Sequence, residues 1–297
     1  MSPFESVTRL FRDPPPAHIF EVSPQCLAYA RPEHPQDVQY REFAPGVVKV
    51  SPLKDNIREP EAFTQAIESL TSSLPPSKKP RPAALILPDY ASRLQVLDFD
   101  TFPSNAEEQQ ALVRFRMKKS IPFDVESAAV SYYQQPSSVG SKKIEVVAAS
   151  MSLEIAGRYE SPFRAAGFHP GLVTTSALAA LSLAPRVGLN MIAKLSPGTL
   201  TVLVADGDSL RLVRCVELED GSLEELTSLM HPTLVYVEDE LKRRPDRLLL
   251  CGFGNDTPQV ATSWQQELGV PAEALQSNYG MPTRLNAGIL GYLQGVR

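Results

Sequence analysis

A seven-residue pattern occurs twice in this 297-residue chain, and it constrains the fold more than any other feature. The first copy is Glu21-Val22-Ser23-Pro24-Gln25-Cys26-Leu27; the second is Lys194-Leu195-Ser196-Pro197-Gly198-Thr199-Leu200. Each follows an apolar start, Ile19 or Ile192, and leads into a strand-like run, Ala28-Tyr29-Ala30 or Thr201-Val202-Leu203-Val204. Each run then turns into a further strand, so the unit reads strand–turn–strand–strand. Recurrence across about half the chain, and not at a short period, predicts two related halves instead of a solenoid.

Composition narrows the class. A hydrophobic content of 43% with 21% charged residues describes a soluble globular chain long enough for one large core or two ordinary ones. The net charge is −5 and no long basic block occurs, which argues against nucleic acid as a partner. The longest apolar stretches, around Leu85-Ile86-Leu87 and residues 177–183, fall far short of the roughly 20 residues of a membrane-spanning helix. Met1-Ser2-Pro3-Phe4-Glu5 lacks the basic-then-apolar order of a signal peptide. Cys26, Cys215 and Cys251 are an odd, widely spaced set beside strand-like runs, which reads as buried free thiols in a reducing cytoplasm. Proline clusters mark connections: Pro14-Pro15-Pro16 sets off an N-terminal arm, and Pro75-Pro76 with Lys78-Lys79-Pro80-Arg81-Pro82 forms a stiff joint.

Strands and helices alternate along the rest. Residues 59–74 carry Ala62, Phe63, Ala66, Ile67 and Leu70 at helical spacing. Short strands are expected at 83–87 and 94–99. Ser104-Asn105-Ala106-Glu107 fits a capping box with Ser104 as cap, opening a helix that carries Leu112, Phe115 and Met117. That helix should end near Ser120, because Pro122 disfavours helical geometry at Ile121. Strands at 128–134 and 143–150 flank an exposed hairpin tip, Pro136-Ser137-Ser138-Val139-Gly140-Ser141. A helix at 152–166, a strand at 171–175 and a small-residue helix at 176–183 lead to the second copy at 190–217, which turns at Asp206-Gly207-Asp208. Ser222 then starts a helix, and a buried strand at 247–251 meets Gly252-Phe253-Gly254. Thr257-Pro258 opens a helix to Leu268 with proline at the first position. The last helix presents Leu285, Ile289, Tyr292 and Leu293, with Gly288 and Gly291 permitting close approach. The pattern is that of an α/β protein of two related domains.

Several segments carry a family resemblance. Leu87-Pro88, Leu94-Gln95-Val96-Leu97, Lys119-Ser120-Ile121-Pro122-Phe123-Asp124 and Val130-Ser131-Tyr132-Tyr133-Gln134 together resemble the PilM family. Phe168-His169-Pro170, Leu249-Leu250-Cys251-Gly252 and Leu268-Gly269-Val270-Pro271 extend the likeness across most of the chain in order. The resemblance implies an actin-like, duplicated RNase H-like fold of two lobes. The first lobe would be residues 12–82, 152–187 and 282–297, with an inserted subdomain at 83–151; a reduced second lobe would be 188–281. It also implies a cytoplasmic protein, peripheral at the inner membrane of a type IV pilus or type II secretion-like assembly platform. Its partner would be the cytoplasmic tail of a PilN-like bitopic membrane protein, alongside other platform proteins, docked beside the inserted subdomain. Ile121, Pro122 and Phe123 would form one wall of that groove, a role compatible with plugging the subdomain core.

Members of that family commonly bind ATP between the lobes, in loops with an aspartate, then a glycine, then small hydroxyl residues. Here Glu21 and Ser23 replace the aspartate and glycine of the first loop, and Lys194 and Ser196 those of the second. A lysine cannot accept a hydrogen bond from Mg²⁺-bound water, and its charge opposes the cation. Serine lacks glycine's freedom at positive φ, and Pro24 and Pro197 remove amides from turns that would cradle phosphate. Only Gly252 and Gly254 remain near the expected adenosine position, and a strand-to-helix turn explains them as well. The expectation is a non-catalytic scaffold with no cofactor and no metal. The rival expectation is a nucleotide-regulated ATPase in which Lys194 contacts phosphate directly. A sugar- or acetate-kinase-like enzyme would need a catalytic carboxylate and intact glycine loops, and no motif in the sequence marks either. His18, His34, His169 and His231 are far apart, each near proline, and read as turns and element edges. Asp206 and Asp208 read as hairpin-turn residues, and Lys118-Lys119, Lys142-Lys143 and Lys242-Arg243-Arg244 as solvated surface, with contact to an anionic membrane surface or an acidic tail as the alternative for Lys118-Lys119.

Overall fold

A computed structural model describes residues 15–136 and 143–296. Most of the expected N-terminal arm, the hairpin tip from Ser137 to Ser141 and Lys142 lie outside the described residues. The two copies of the repeat fold alike. β1 (His18–Val22), β2 (Cys26–Arg31) and β3 (His34–Glu42) form an antiparallel meander. β4 (Arg81–Leu87) pairs parallel with β1, and a later strand, Phe168–Thr175, pairs parallel with β4.

An excursion leaves the sheet after β4. β5 (Arg93–Phe99), helix α2 (Ala106–Met117), β6 (Ala128–Gln134) and β7 (Ile144–Ser152) form a separate antiparallel sheet of order β5-β7-β6. Its own small core gathers Leu97, Phe99, Val113, Met117, Val146 and Ala148. The chain returns through α3 (Leu153–Ala165), whose apolar face packs with α1 (Pro60–Thr71) on one side of the first sheet. β8 (Phe168–Thr175) then completes the order β3-β2-β1-β4-β8.

After α4 (Ser176–Ala180) the topology repeats. β9 (Leu189–Ser196), β10 (Thr199–Asp206) and β11 (Ser209–Glu217) form the second meander. β12 (Arg247–Cys251) and β13 (Ala272–Ala274) extend it in parallel, giving β11-β10-β9-β12-β13. One helix, α5 (Leu223–Leu241), spans the interval between β11 and β12, and α6 (Thr257–Leu268) seals the core around the fully buried Trp264. The final helix is α7 (Ala287–Gly295).

The two short helices tie the halves together by exchange. α4 leaves the first sheet, yet Ala177 and Ala180 share a core with Ile192, Leu203 and Leu249 of the second. α7 leaves the second sheet, yet Ile289, Tyr292 and Leu293 pack on Ile19, Ala28 and Ile86 of the first.

Several expectations are corrected. Residues 83–87 belong to β4, a strand buried in the middle of the first sheet, so the insertion begins after Leu87 and not at residue 83. Pro82 lies inside that strand and not in the preceding joint. The cap of α2 is Asn105, whose side chain accepts from the amides of Glu107 and Glu108; Ser104 is not the cap. That helix ends at Met117, and Phe115 is 63% exposed while Val113 takes its expected place in the core. Thr257 holds the first position of α6, so Pro258 takes the second. Leu285 precedes α7, His169 lies within β8, and His231 lies within α5 beside Pro232.

Candidate functional site: a closed cleft between the two repeats

The β1–β2 and β9–β10 turns face one another. Ser23 and Pro24 of the first copy and Ser196 and Pro197 of the second line one cavity, together with Asp89 and Ser176. Topology places them there: the turns lie at corresponding ends of the two meanders, and Asp89 follows the carboxyl end of β4. Carboxyl ends of strands are where open α/β sheets usually present ligand sites. The cavity measures about 20 Å³. That is room for roughly one water, against the roughly 300–1,000 Å³ of an ordinary small-molecule pocket.

The first turn is closed by its own side chain. Ser23 Oγ accepts from the amides of Gln25 (3.2 Å) and Cys26 (3.0 Å) and donates to the Cys26 carbonyl (3.0 Å). Those two amides are therefore already occupied. Neither serine adopts positive φ; in the second turn Gly198 does, at φ 75°, directly after Pro197. The proline–glycine order suits a tight turn in which glycine supplies the left-handed residue.

Glu21 is buried and points at the start of α7. Its carboxylate accepts from the amides of Gly288 (3.1 Å) and Ile289 (2.8 Å) and from the Ser176 hydroxyl. The first turn of a helix offers unpaired amides and a positive dipole end, so a carboxylate is well placed there. Burial pushes the Glu21 carboxyl above its usual range, against the opposing pull of Lys194, Ser176 and the two amides. A side chain at position 288 would collide with this arrangement: a Cβ there would lie 2.7 Å from Glu21 Oε1 and 2.6 Å from Ile86.

Lys194 is also buried, at 1% exposure. Its ammonium donates to Asp89 Oδ2 (3.0 Å) and to Ser196 Oγ (2.6 Å). Thr201 Oγ1 donates to the same carboxylate oxygen (2.9 Å), and the Ala177 amide to the other (2.6 Å). Asp89 is thus held by both halves of the molecule. Burial alone would lower the Lys194 ammonium; the charges of Asp89 and then Glu21 outweigh it and hold the group above its ordinary value. Both Asp89 oxygens accept hydrogen bonds and the Lys194 ammonium donates two, the kind of added hydrogen bonding that lets an ion pair be buried.

Gly252 and Gly254 form a strand-to-helix turn. A Cβ on Gly252 (φ 85°) would lie 2.2 Å from the Leu195 carbonyl, so glycine lets β12 leave the sheet past the second copy. Arg284 Nε donates to the Gly252 carbonyl (3.1 Å), and Gly254 (φ 57°) starts the turn before α6. Ile121, Pro122 and Phe123 are not part of the cleft. Ile121 packs at the edge of the subdomain core, Pro122 is exposed and Phe123 is half-buried. Sequence reasoning missed Asp89, Ser176 and Thr201. Asp89 carried a usable signal, an acid immediately after an apolar strand and a proline; the two hydroxyl residues carried none. Among the described residues no cluster of three or more His, Cys, Asp or Glu side chains could hold a metal, and no helix is long and apolar enough to cross a membrane.

Twin mixed sheets, an exchanged pair of helices and a cleft between matching turns define an actin-like fold with an insertion in the first lobe. The sequence matches no protein-family profile and no curated protein. Among solved structures the chain is similar to a chain of a PilM–PilN type IV pilus biogenesis complex. The TM-score is 0.76 at 18% identity, covering 95% of this chain and 98% of that one. It is also similar to the cytoplasmic domain of EpsL, an inner-membrane component of the type II secretion system of Vibrio cholerae. There the TM-score is 0.52 at 15% identity, with 93% of each chain covered. A looser likeness (TM-score 0.48, 11% identity, 86% and 89% covered) is to a Bacteroides thetaiotaomicron protein with an actin-like ATPase fold.

Proposed function

We propose that this chain is a non-catalytic scaffold of a type IV pilus or type II secretion-like inner-membrane platform. It would sit on the cytoplasmic side and bind the cytoplasmic tail of a PilN-like bitopic membrane protein. The observation that carries the reading is a combination. The fold matches, over nearly its whole length, a chain of a PilM–PilN complex, while the phosphate-loop positions of the cleft are consumed by internal contacts. The likeness to the EpsL cytoplasmic domain points to the same kind of location.

Glu21 bound to α7 and Lys194 bound to Asp89 leave neither side chain free for a metal–phosphate group, which supports a scaffold over an ATPase. The tail would dock beside the inserted subdomain, with Ile121, Pro122 and Phe123 as a wall. Apolar pockets suit this surface better than strand addition along β6. The carbonyls of Ala128 and Val130 on that strand already accept from Arg114 (3.1 Å) and Gln110 (3.2 Å) of α2.

The test is a calorimetric titration with the N-terminal cytoplasmic peptides of PilN-like bitopic proteins from the same organism, in parallel with ATP in the presence and absence of Mg²⁺. Saturable peptide binding weakened by Phe123→Ala, with no heat from nucleotide, is expected. Absence of binding to every cognate platform tail defeats the scaffold reading. Tight Mg²⁺-dependent ATP binding supports the nucleotide-regulated rival instead.

A further inference from the structure

The buried charges in the cleft connect parts of the chain that belong to different lobes. Asp89 stands at the exit of β4, in the first lobe, and Lys194 on β9, in the second. Thr201 on β10 holds the same carboxylate from the second lobe, and the Ala177 amide at the start of α4 holds it from the first. A second tie lies at the inserted subdomain. The Gln135 side chain exchanges two hydrogen bonds with the backbone of Leu210 on β11, each 2.7 Å, as a paired strand residue would. Beside it, Arg211 of β11 meets Glu145 of β7 in a double contact at 2.6 Å.

We infer that Lys194 and Asp89 form an internal latch that holds the two lobes closed without any ligand between them. Domain closure in a two-lobed protein usually depends on a group that touches both lobes at once. Here a lysine side chain and an aspartate perform that bridging within the chain. Opening breaks the Lys194 bonds to Asp89 and Ser196 and the Thr201 bond to Asp89 together, and any opening too narrow to admit water leaves both charges buried and unpaired. The Gln135 and Arg211 contacts restrain the same closure from a second point, so the inserted subdomain moves with the second lobe instead of independently of it. The inference concerns the closure itself and stands whether or not the platform role is right.

Hydrogen exchange on the intact protein tests it. Lys194→Met keeps the side-chain length and removes the charge. It should speed exchange about 10-fold or more at amides lining the cleft, in residues 176–180 and 192–196, while amides beneath Trp264 and Tyr159 stay protected. Small-angle scattering should show a larger radius of gyration for the same variant. Thr201→Val, which removes a single hydrogen bond from Asp89 and is less exposed to misfolding, should give a smaller acceleration confined to the same residues. Adding ATP and Mg²⁺ to the unaltered protein should leave cleft exchange unchanged. The latch is refuted if either variant exchanges like the unaltered protein at the cleft, or if the acceleration spreads evenly through both sheets. Nucleotide-induced protection of the cleft in the unaltered protein refutes it as well.

Discussion

Gly291→Ala sets two physical effects against each other at one position. Inside a solvent-exposed helix this substitution would stabilise, because alanine is a better helix former than glycine by about 1 kcal/mol. At position 291 the added Cβ would lie 2.2 Å from the Ala179 carbonyl oxygen and 2.6 Å from both the Ala179 carbonyl carbon and Ala180 Cα. All three atoms are backbone, so no rotamer change relieves the clash. The helices themselves must separate, by about 1 Å to reach ordinary contact. Neither moves freely: α7 is fixed at its start by Glu21, and α4 by the Ala177–Asp89 bond and its packing on the second sheet. Overpacking of this kind costs about 1–3 kcal/mol, and a rigid backbone neighbour puts it at the upper end. The net expectation is destabilisation by about 2 kcal/mol, a fall in Tm of about 3 °C for a chain of this length unfolding as one unit. Gly157 in α3 is the internal control: it is helical with nothing within 4 Å of its would-be Cβ. Gly157→Ala should therefore stabilise by up to about 1 kcal/mol. Urea unfolding of both variants settles the sign. Equal shifts in the same direction would refute the claim that contact between the exchanged helices, and not propensity, decides position 291.

Three further outcomes follow from single contacts. Asn105→Ala should cost about 1 kcal/mol while Ser104→Ala stays within about 0.5, by chemical denaturation, because only Asn105 caps α2. Tyr159→Phe removes the hydroxyl that donates to Asn56 Oδ1 at 3.0 Å, but that oxygen keeps the Ser51 amide as donor, so the loss should be only about 0.5–1.5 kcal/mol. The buried His18 ring is pushed down to about 4 from an ordinary 6.5 by burial, with Arg81 and Arg31 adding to it. The unfolded chain thus binds this proton first as pH falls. The contribution is whole above pH 6.5 and is lost on descending towards pH 4, by at most about 3 kcal/mol. In His18→Gln that acid-side loss should shrink when unfolding is compared at the two ends of the window.

What was legible in the chain follows from what periodicity and turn chemistry can encode. The repeat around Ser23-Pro24 and Ser196-Pro197 announced twin meanders, and the structure builds them with the same strand order and senses. Glycines at 288 and 291 announced a close approach, which α7 makes to Glu21 and to α4. Boundaries were less legible. The apolar run at 83–87 carries no mark saying whether it belongs to the main sheet or to an insertion, because a strand buried on both faces has no alternation. Phe115 looked like core by type and spacing, and Val113 took the position, since helical phase over three turns is fixed by which face meets the sheet. Of the cleft, one side of each contact could be seen in the repeat. The other side came from Asp89, Ser176 and the start of α7, segments up to 268 positions away in sequence.

That hidden half changes the meaning of the departures in the two turns. In the sequence alone Lys194 is only an expected departure from a nucleotide loop, and a departure of that kind needs no partner. A lysine with 1% exposure does need one, since an unpaired buried charge costs about 3–5 kcal/mol, a large fraction of a domain's stability. Asp89 supplies it, and Asp89 in turn would be untenable opposite a second carboxylate at position 194. The two residues therefore form one unit: either single replacement leaves a sealed charge, whereas replacing both by apolar groups of similar volume can be close to neutral. A double variant, Asp89→Leu with Lys194→Met, should accordingly be more stable than either single variant, with a coupling of about 1–3 kcal/mol in a double-mutant cycle. Additive single effects would mean that the two charges are screened from each other, and the cleft would then be wetter than its 20 Å³ allows.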